Sequence, residues 1–454
     1  MADLGDRPTR KPKMFTRCRA WARAHCAPTG GLALCPLRAR RMKSLMQTKI
    51  GFSPGQPVLR AVGLFAFTLV AVTALAAPPV VSNIRAAQRA GTHLVDIYYN
   101  VADADGNSPL TVYVAVSANG GVNFNVPVFT LTGAVGPGVT LGNDRHIVWN
   151  AGTDWPGQFN SQCKVKIIAD DGTAPPAPTG MAYIPAVPFQ MGDTYLEQTT
   201  AMPVHGVYVS AFFMDKFDVT RETWVDVYTW AIGNGYDFNN AGTYSGNNHP
   251  VQTVNWYDAV KWCNARSEKA GLTPCYYTDA TQTTVYRIGP NNLTNACVKW
   301  AANGYRLPTE TEWEKAARGG SGGKRFPWGD TIYSTNANYN SSASYAYDLG
   351  PVRGYTYGGG STSPVNNYAP NAYGLYDMAG NVWQWCWDWY DGNWYGQPAA
   401  SSDDPHGPPT ALSYRVLRGG AWSLNAIYSQ CAFRCSYDPN YAGFDVGFRC
   451  VRGF

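Results

Sequence analysis

From Met181 to Phe454 the chain offers three stretches with a helical period and otherwise runs through Gly, Asn and Tyr. LPTETEWEKAARGG has Thr309 as N-cap, Glu312 three residues on and Gly319 as a stop, which is a capping box with a C-terminal glycine. In VNWYDAVKWCNARSEKAG, Asn255 caps, and Trp256, Ala259, Val260 and Cys263 fall on one face. A third helix starts after Thr220 in VTRETWVDVYTW. The remainder must be long ordered loops. Ordering costs about 1–2 kcal/mol per residue, so such loops need an anchor. Disulfides, buried Trp and bound cations are the available means, and 14% aromatic residues is too many for a disordered chain.

Residues 78–173 read differently. THLVDIYYNVAD, LTVYVAVSANGG, RHIVWNAG and CKVKIIADDG are strand-like, with Val112, Val114 and Val116 alternating with other residues. No helical period interrupts them, and the pattern fits an immunoglobulin- or fibronectin-type β-sandwich acting as a spacer or adhesion module. Residues 174–180, rich in Pro, mark a linker.

The formal charge of +5 is misleading. Residues 1–60 carry 13 Lys/Arg against 2 acids, which leaves 23 against 29, a net of −6, for the rest. No basic stripe remains downstream, which argues against a nucleic-acid partner. After Arg60, residues 61–76 form an apolar run closing on Ala74-Leu75-Ala76, the layout of a secretory signal. It is short for a membrane span, which takes about 20 residues, although an uncut anchor is the competing reading. Such signals start near the chain start. Met42 or Met46 is therefore the more natural initiator, and residues 1–41 read as an over-extended start or a tail outside the fold. Residues 1–76 are thus a leader. The expected location is secreted, periplasmic or cell-surface, with no stable membrane span after cleavage.

Export makes disulfides the default for Cys263, Cys275, Cys297, Cys386, Cys431, Cys435 and Cys450. Seven is odd, so at least one is unpaired within this set. WQWCWDWY, with Trp at 383, 385, 387 and 389, fits a strand with one buried face, whose outward Trp residues are candidates to line a groove. The six histidines show no metal spacing, and no P-loop, dinucleotide fingerprint or nucleophile elbow is present.

Eight segments occur in a fixed order: GMAYIPAVPFQMGD, FDVTRETW, PVQTVNWYDAVKWC, GYRLPTETEWEKAARGG, FPWGD, NAYGLYDMAGNVWQW, YRVLRGGAW and VGFRC. Together they resemble the sulfatase-modifying factor family, the formylglycine-generating enzymes and their relatives, across residues 181–454. The resemblance implies an α+β, C-type-lectin-like fold with few regular elements. It implies, for active members, a copper-dependent oxidation of a sulfatase cysteine to formylglycine by molecular oxygen. Two cysteines spaced C-x4-C hold Cu(I), as soft thiolates should.

That pair has no match here. The CAFR segment makes Cys431 the counterpart of a later, structural cysteine of the family. Counting back from it reaches Ala426 and Ala421, and counting forward from Gly420 reaches Leu424 and Ser429. Copper is therefore not expected. Cys431 and Cys435 are weak substitutes, since four residues of extended strand separate Cα atoms by about 13 Å.

The resemblance also implies a disulfide between Cys263 and Cys450. It leaves Cys431 without its family partner, since Ala317 stands there; Cys386 is an alternative partner. Cys275 and Cys297 bracket an insertion that short members lack and are candidates to close it. It further implies a calcium site built on the Asp377 side chain, the carbonyls of Met378, Gly380 and Val382, and the Gln384 side chain. Asp377 and Gln384 stand where the family has Asn and Glu. A second, weaker calcium site would use Asn338 and Tyr339 with Asp348. The reading that results is a secreted, calcium-stabilised binding module for a protein, peptide or glycan. The alternative is a formylglycine-generating oxidase, or a relative with different chemistry.

Overall fold

A computed structural model of the chain describes residues 78–350 and 354–454, and the leader expected over residues 1–76 lies outside them. The described residues fall within one compact unit. Seven strands come first: β1 (Val80–Gln88), β2 (Leu94–Ala102), β3 (Leu110–Ser117), β4 (Leu131–Gly133), β5 (Gly136–Val139), β6 (Gly142–Asn150) and β7 (Lys164–Asp170). They form one sheet in the order β1-β2-β6-β4 and another in the order β5-β3-β7, and Ile97, Val112, Val116, Ile147 and Trp149 share one core. A single helical turn, α1 (Ala151–Asp154), follows β6, capped by Asn150.

The alternation expected in β3 holds for Val112 and Val114 but not beyond, because Ala115 and Ser117 are buried too. The second face of that sheet is covered. Lys166 of β7 reaches across, its Nζ 3.5 Å from the Tyr208 ring centre and 3.3 Å from Asp403. β1, β4 and β5 carry no strand signal in the sequence. β1 is largely exposed, with an irregularity between Ser82 and Arg85, and β5 is the glycine-rich Gly136–Val139 with Pro137 on a sheet edge.

The rest has few regular elements. β8 (Met181–Ile184) and β11 (Phe212–Asp215) lie with β12 (Tyr305–Arg306) and β19 (Val451–Arg452) in the order β12-β19-β11-β8. β9 (Val187–Met191) and β10 (His205–Val209) form a hairpin, and β13 (Asn340–Ser341) pairs with β14 (Gly354–Tyr355). A further sheet holds β15 (Trp383–Trp389), β16 (Arg415–Arg418), β17 (Cys435–Tyr437) and β18 (Val446–Gly447) in the order β17-β16-β15-β18.

The three helices start where the sequence places them. α2 (Arg221–Ile232) is capped by Thr220, and α3 (Trp256–Lys269) by Asn255. α4 (Glu310–Arg318) has the full Thr309/Glu312 capping box, and Gly319 ends it in the left-handed region at φ 56°.

Buried polar side chains do much of the loop anchoring. α3 was expected to bury one face, but its polar side is buried as well. Asp258 accepts hydrogen bonds from the backbone N–H groups of Asn239 and Asn240. Lys261 Nζ sits 2.6 Å from Asp237, and Asn264 Nδ2 donates to the carbonyls of Tyr276 and Tyr286. The Asp258 and Asn264 bonds replace ones that water would otherwise supply to main-chain groups.

β15 corrects the expected one-sided strand. All four of its Trp residues are at most 2% exposed, so none lines an external groove. Their indole N–H groups that face the loops donate inward, Trp385 to Val254 O, Trp387 to Asn295 Oδ1 and Trp389 to Leu293 O. Arg415 of β16 lies among them, its guanidinium carbon 3.6 Å from the Trp256 ring centre and 3.5 Å from that of Trp389. Aromatic faces stabilise this buried cation, and its Nη2 donates to Leu293 O at 2.8 Å.

Candidate functional site

Gln384 faces the opposite side of β15 from the Trp row. Its Oε1 accepts from Trp313 Nε1 at 2.6 Å and from Arg449 Nε at 2.8 Å, and its Nε2 donates to the Asp377 carbonyl at 2.8 Å. The oxygen expected to bind calcium thus accepts from two protein donors. The turn it holds is tightly sewn. Gly380 N donates to Gly419 O at 2.7 Å, Asn381 N donates to Asn338 O at 2.8 Å, and a Cβ on Gly380 would come within 2.2 Å of the Asn338 carbonyl oxygen.

Asp377 remains exceptional. It sits at φ 55°, is buried, and its Oδ2 has no hydrogen-bond partner. Burial pushes its pKa well up, and the neighbouring Asp218 adds to this while Arg449 opposes it. Asp218 is pushed up to about 7, chiefly by burial, although Arg449 Nη2 donates to its Oδ1 at 3.0 Å. One guanidinium thus serves two buried carboxyls. The unpartnered Asp377 Oδ2 is an open acceptor of the kind a cation would engage. Met378 and Val382 lie buried on the same loop, at 2% and 0% exposure.

The residues of the second calcium expectation bond to one another and to their neighbours. Asp348 accepts hydrogen bonds from Tyr339 OH at 2.7 Å, Ser341 Oγ at 2.9 Å and Ser342 N at 2.7 Å. Asn338 Nδ2 donates to Ser361 O at 2.9 Å. Hydroxyl and amide donors thus surround this carboxylate. Among the described residues, no group of three His, Cys, Asp or Glu side chains is arranged to hold a metal.

The segment after Gly420 turns back at once, with Leu424 N donating to Ala421 O at 3.0 Å, and Ala426–Ser429 form a short 3-10 turn. Ala421, Ala426 and Ser429 are fully buried. Ser423 Oγ donates to Asp445 Oδ2 at 2.6 Å, and burial raises that carboxyl's pKa. Beside this pair Trp422 meets Tyr355 and Phe444, with ring centres 5.7 Å and 5.6 Å away. Tyr355 and Phe444 are 39% and 47% exposed, so the trio forms a solvent-facing aromatic shelf. Sequence reasoning missed it because its members come from three distant segments: Trp422 follows β16 and Phe444 precedes β18, both in the β15 sheet, whereas Tyr355 pairs with Asn340 in the separate β13–β14 ladder.

Cys431 and Cys435 do not form a site. Cys431 packs with Trp313, Met378 and Cys386, whereas Cys435, opposite Leu417 in the ladder, packs in the separate cluster of Trp383 and Trp385. Burial raises the Cys431 thiol to about 12, which keeps it protonated and a poor ligand.

The Sγ atoms of Cys263 and Cys450 lie 3.6 Å apart, as thiols. Cys275 and Cys297 are buried thiols, and the bridge between Tyr276 and Val298 puts Cys275 opposite Lys299, so the two cysteines are diagonal neighbours. His406 stacks on Trp300 with ring centres 3.5 Å apart, and burial lowers its pKa to about 4.

Residues 170–454 match the family model described as a sulfatase-modifying factor enzyme 1-like domain. The chain belongs to the sulfatase-modifying factor family. Its relatives include the formylglycine-generating enzyme of Streptomyces coelicolor, 34% identical over 301 residues that span 62% of this chain and 93% of that protein. The chaperone protein LppX of Paenibacillus barcinonensis is 34% identical over 261 residues, 54% of this chain and 81% of that one. Among solved structures, Treponema denticola variable protein 1 shares 31% identity, covering 60% of this chain and 94% of its own, with a TM-score of 0.45. Within the sulfatase-modifying factor framework, the stretch from Ala421 to Gln430 carries no thiol.

Proposed function

We propose that the chain is an exported, non-catalytic binding module of the sulfatase-modifying factor family. The observation that carries this reading is the segment between Gly420 and Cys431. Where the resemblance places two copper-binding cysteines, either counting of positions gives Ala421, Leu424, Ala426 or Ser429. An aromatic shelf of Trp422, Tyr355 and Phe444 stands beside it. Aromatic rings with a polar edge bind protein, peptide or glycan ligands through stacking and a few directed hydrogen bonds. The two sheets of residues 80–170 serve as an immunoglobulin- or fibronectin-like spacer, and a calcium ion at Asp377 balances its buried charge with help from the Met378, Gly380 and Val382 carbonyls.

The test supplies Cu(I) under reducing conditions, then oxygen and a peptide containing C-x-P-x-R, and weighs the peptide. The expected result is an unchanged mass and no tight copper binding. Loss of the thiol with formation of an aldehyde would overturn the binding-module reading in favour of an oxidase with an altered site.

A further inference from the structure

A cavity of about 330 Å³ lies where β3 meets β9 and the end of α4. That volume is at the lower end of small-molecule sites. Its origin is a gap in a sheet. β5 pairs with β3 only as far as Val112, and the next contact on that edge is the bridge from Val116 to Val126. Tyr113 to Ala115 therefore have no strand partner there, and the cavity opens between the two contacts. Its walls are mostly apolar, with Val114, Val126 and Phe189 among them.

Two cations line it, and they differ. Arg318 is satisfied by Glu314, by Gly192 O at 2.8 Å and by Lys324 O at 3.1 Å. Lys315 is 2% exposed, and its Nζ donates to two carbonyls, those of Val209 and Pro185. Among the described residues no carboxylate lies within ion-pair distance of it; Asp404, Glu312 and Asp170 act on it only from farther away. An ammonium carries three donors, so one is uncommitted. Tyr113 and Tyr373 also line the cavity, and burial raises both phenols, so each keeps its proton and can donate. A buried cation without a counter-charge is costly in an apolar wall.

We propose that this cavity binds a small amphiphile with a single carboxylate head, the head on Lys315 and the apolar body between β3 and β9. One uncommitted cation fits a monoanion better than a phosphate dianion. This inference is independent of the aromatic shelf and of the family's chemistry.

The test titrates octanoate into the full chain by calorimetry, with octanol as the uncharged control of equal length. Octanoate is expected to bind at least about tenfold more tightly than octanol, the difference a charge-assisted hydrogen bond makes. Lys315→Met should remove that preference while its circular dichroism stays that of the wild type. If the variant fails to fold, protection of Lys315 from amine acylation by octanoate in the wild type, read by peptide mass, supports the same assignment. Equal binding of octanoate and octanol, no binding of octanoate, or an unprotected Lys315 would each overturn it.

Discussion

At Asp377 burial favours the protonated carboxyl, because its surroundings balance too little of the charge the ionised form would carry. Arg449 is shared with Asp218, and Oδ2 of both acids is without a partner. A ligand that binds only the folded state stabilises it by about 2.7 kcal/mol at a hundredfold excess over its Kd. Calcium should therefore raise the melting temperature of the wild type and leave Asp377→Ala, which has no side-chain oxygen, unmoved. Equal melting with calcium and with chelator would exclude the ion there. The sequence located this loop but not its state. Asn to Asp at 377 and Glu to Gln at 384 look like a charge exchange that preserves a site. In space Gln384 is turned to Trp313 and Arg449 and offers the turn only an N–H. Which way an amide points depends on partners seventy residues away, and no local pattern records it.

Among the elements, helix α4 was the most legible and is now the most constrained. Its capping box is visible in LPTETEW because every contact is within four residues. What the sequence did not show is that Glu312 also holds Arg306 in a buried pair, Oε2 to Nη1 at 2.6 Å. Thr309→Ala should therefore cost about 1–2 kcal/mol, the upper range for an N-cap. Urea unfolding of the variant measures this, and a loss of only a few tenths would mean that Arg306 alone holds the helix start. Strands were less legible. β2 and β6 alternate over their central residues and β3 does so as far as Val114, whereas β8 to β19 are mostly two to five residues long, too short for a period to emerge. The Trp run of β15 was readable as a strand, yet both its faces are buried because α3 and α4 close over it from opposite sides. The aromatic shelf and the Lys315 cavity join segments far apart in sequence and were not legible at all.

Over the whole molecule, buried charge makes stability depend on pH. Burial, with Glu310 adding to it, holds the Asp388 carboxyl up at about 8, whereas an unfolded aspartate ionises near about 4. Between these values the folded state binds a proton that the unfolded state has lost. The contribution of Asp388 is thus complete below about pH 4 and is lost as pH rises through about 8. Lys315, lowered to about 7 by burial, acts in the opposite sense, since the unfolded amine stays charged to about pH 10. Comparison with Asp388→Asn isolates the first effect. The variant's amide oxygen can still accept the Glu310 N–H, and it should lose less stability than the wild type from about pH 4 to about pH 9. Parallel profiles in chemical denaturation would show that Asp388 is ionised in the fold. One consequence of the sheet order β12-β19-β11-β8 concerns synthesis. Val451 and Arg452 lie between strands made long before them, pairing with Phe213 and Met214 on one side and with Tyr305 and Arg306 on the other. A ribosome delivers β8 and β11 able to pair with each other, but the facing edges of β11 and β12 stay open until β19 emerges. The strands of residues 80–170 need nothing translated later to pair, so the nascent chain emerges with one region able to fold and a longer one obliged to wait.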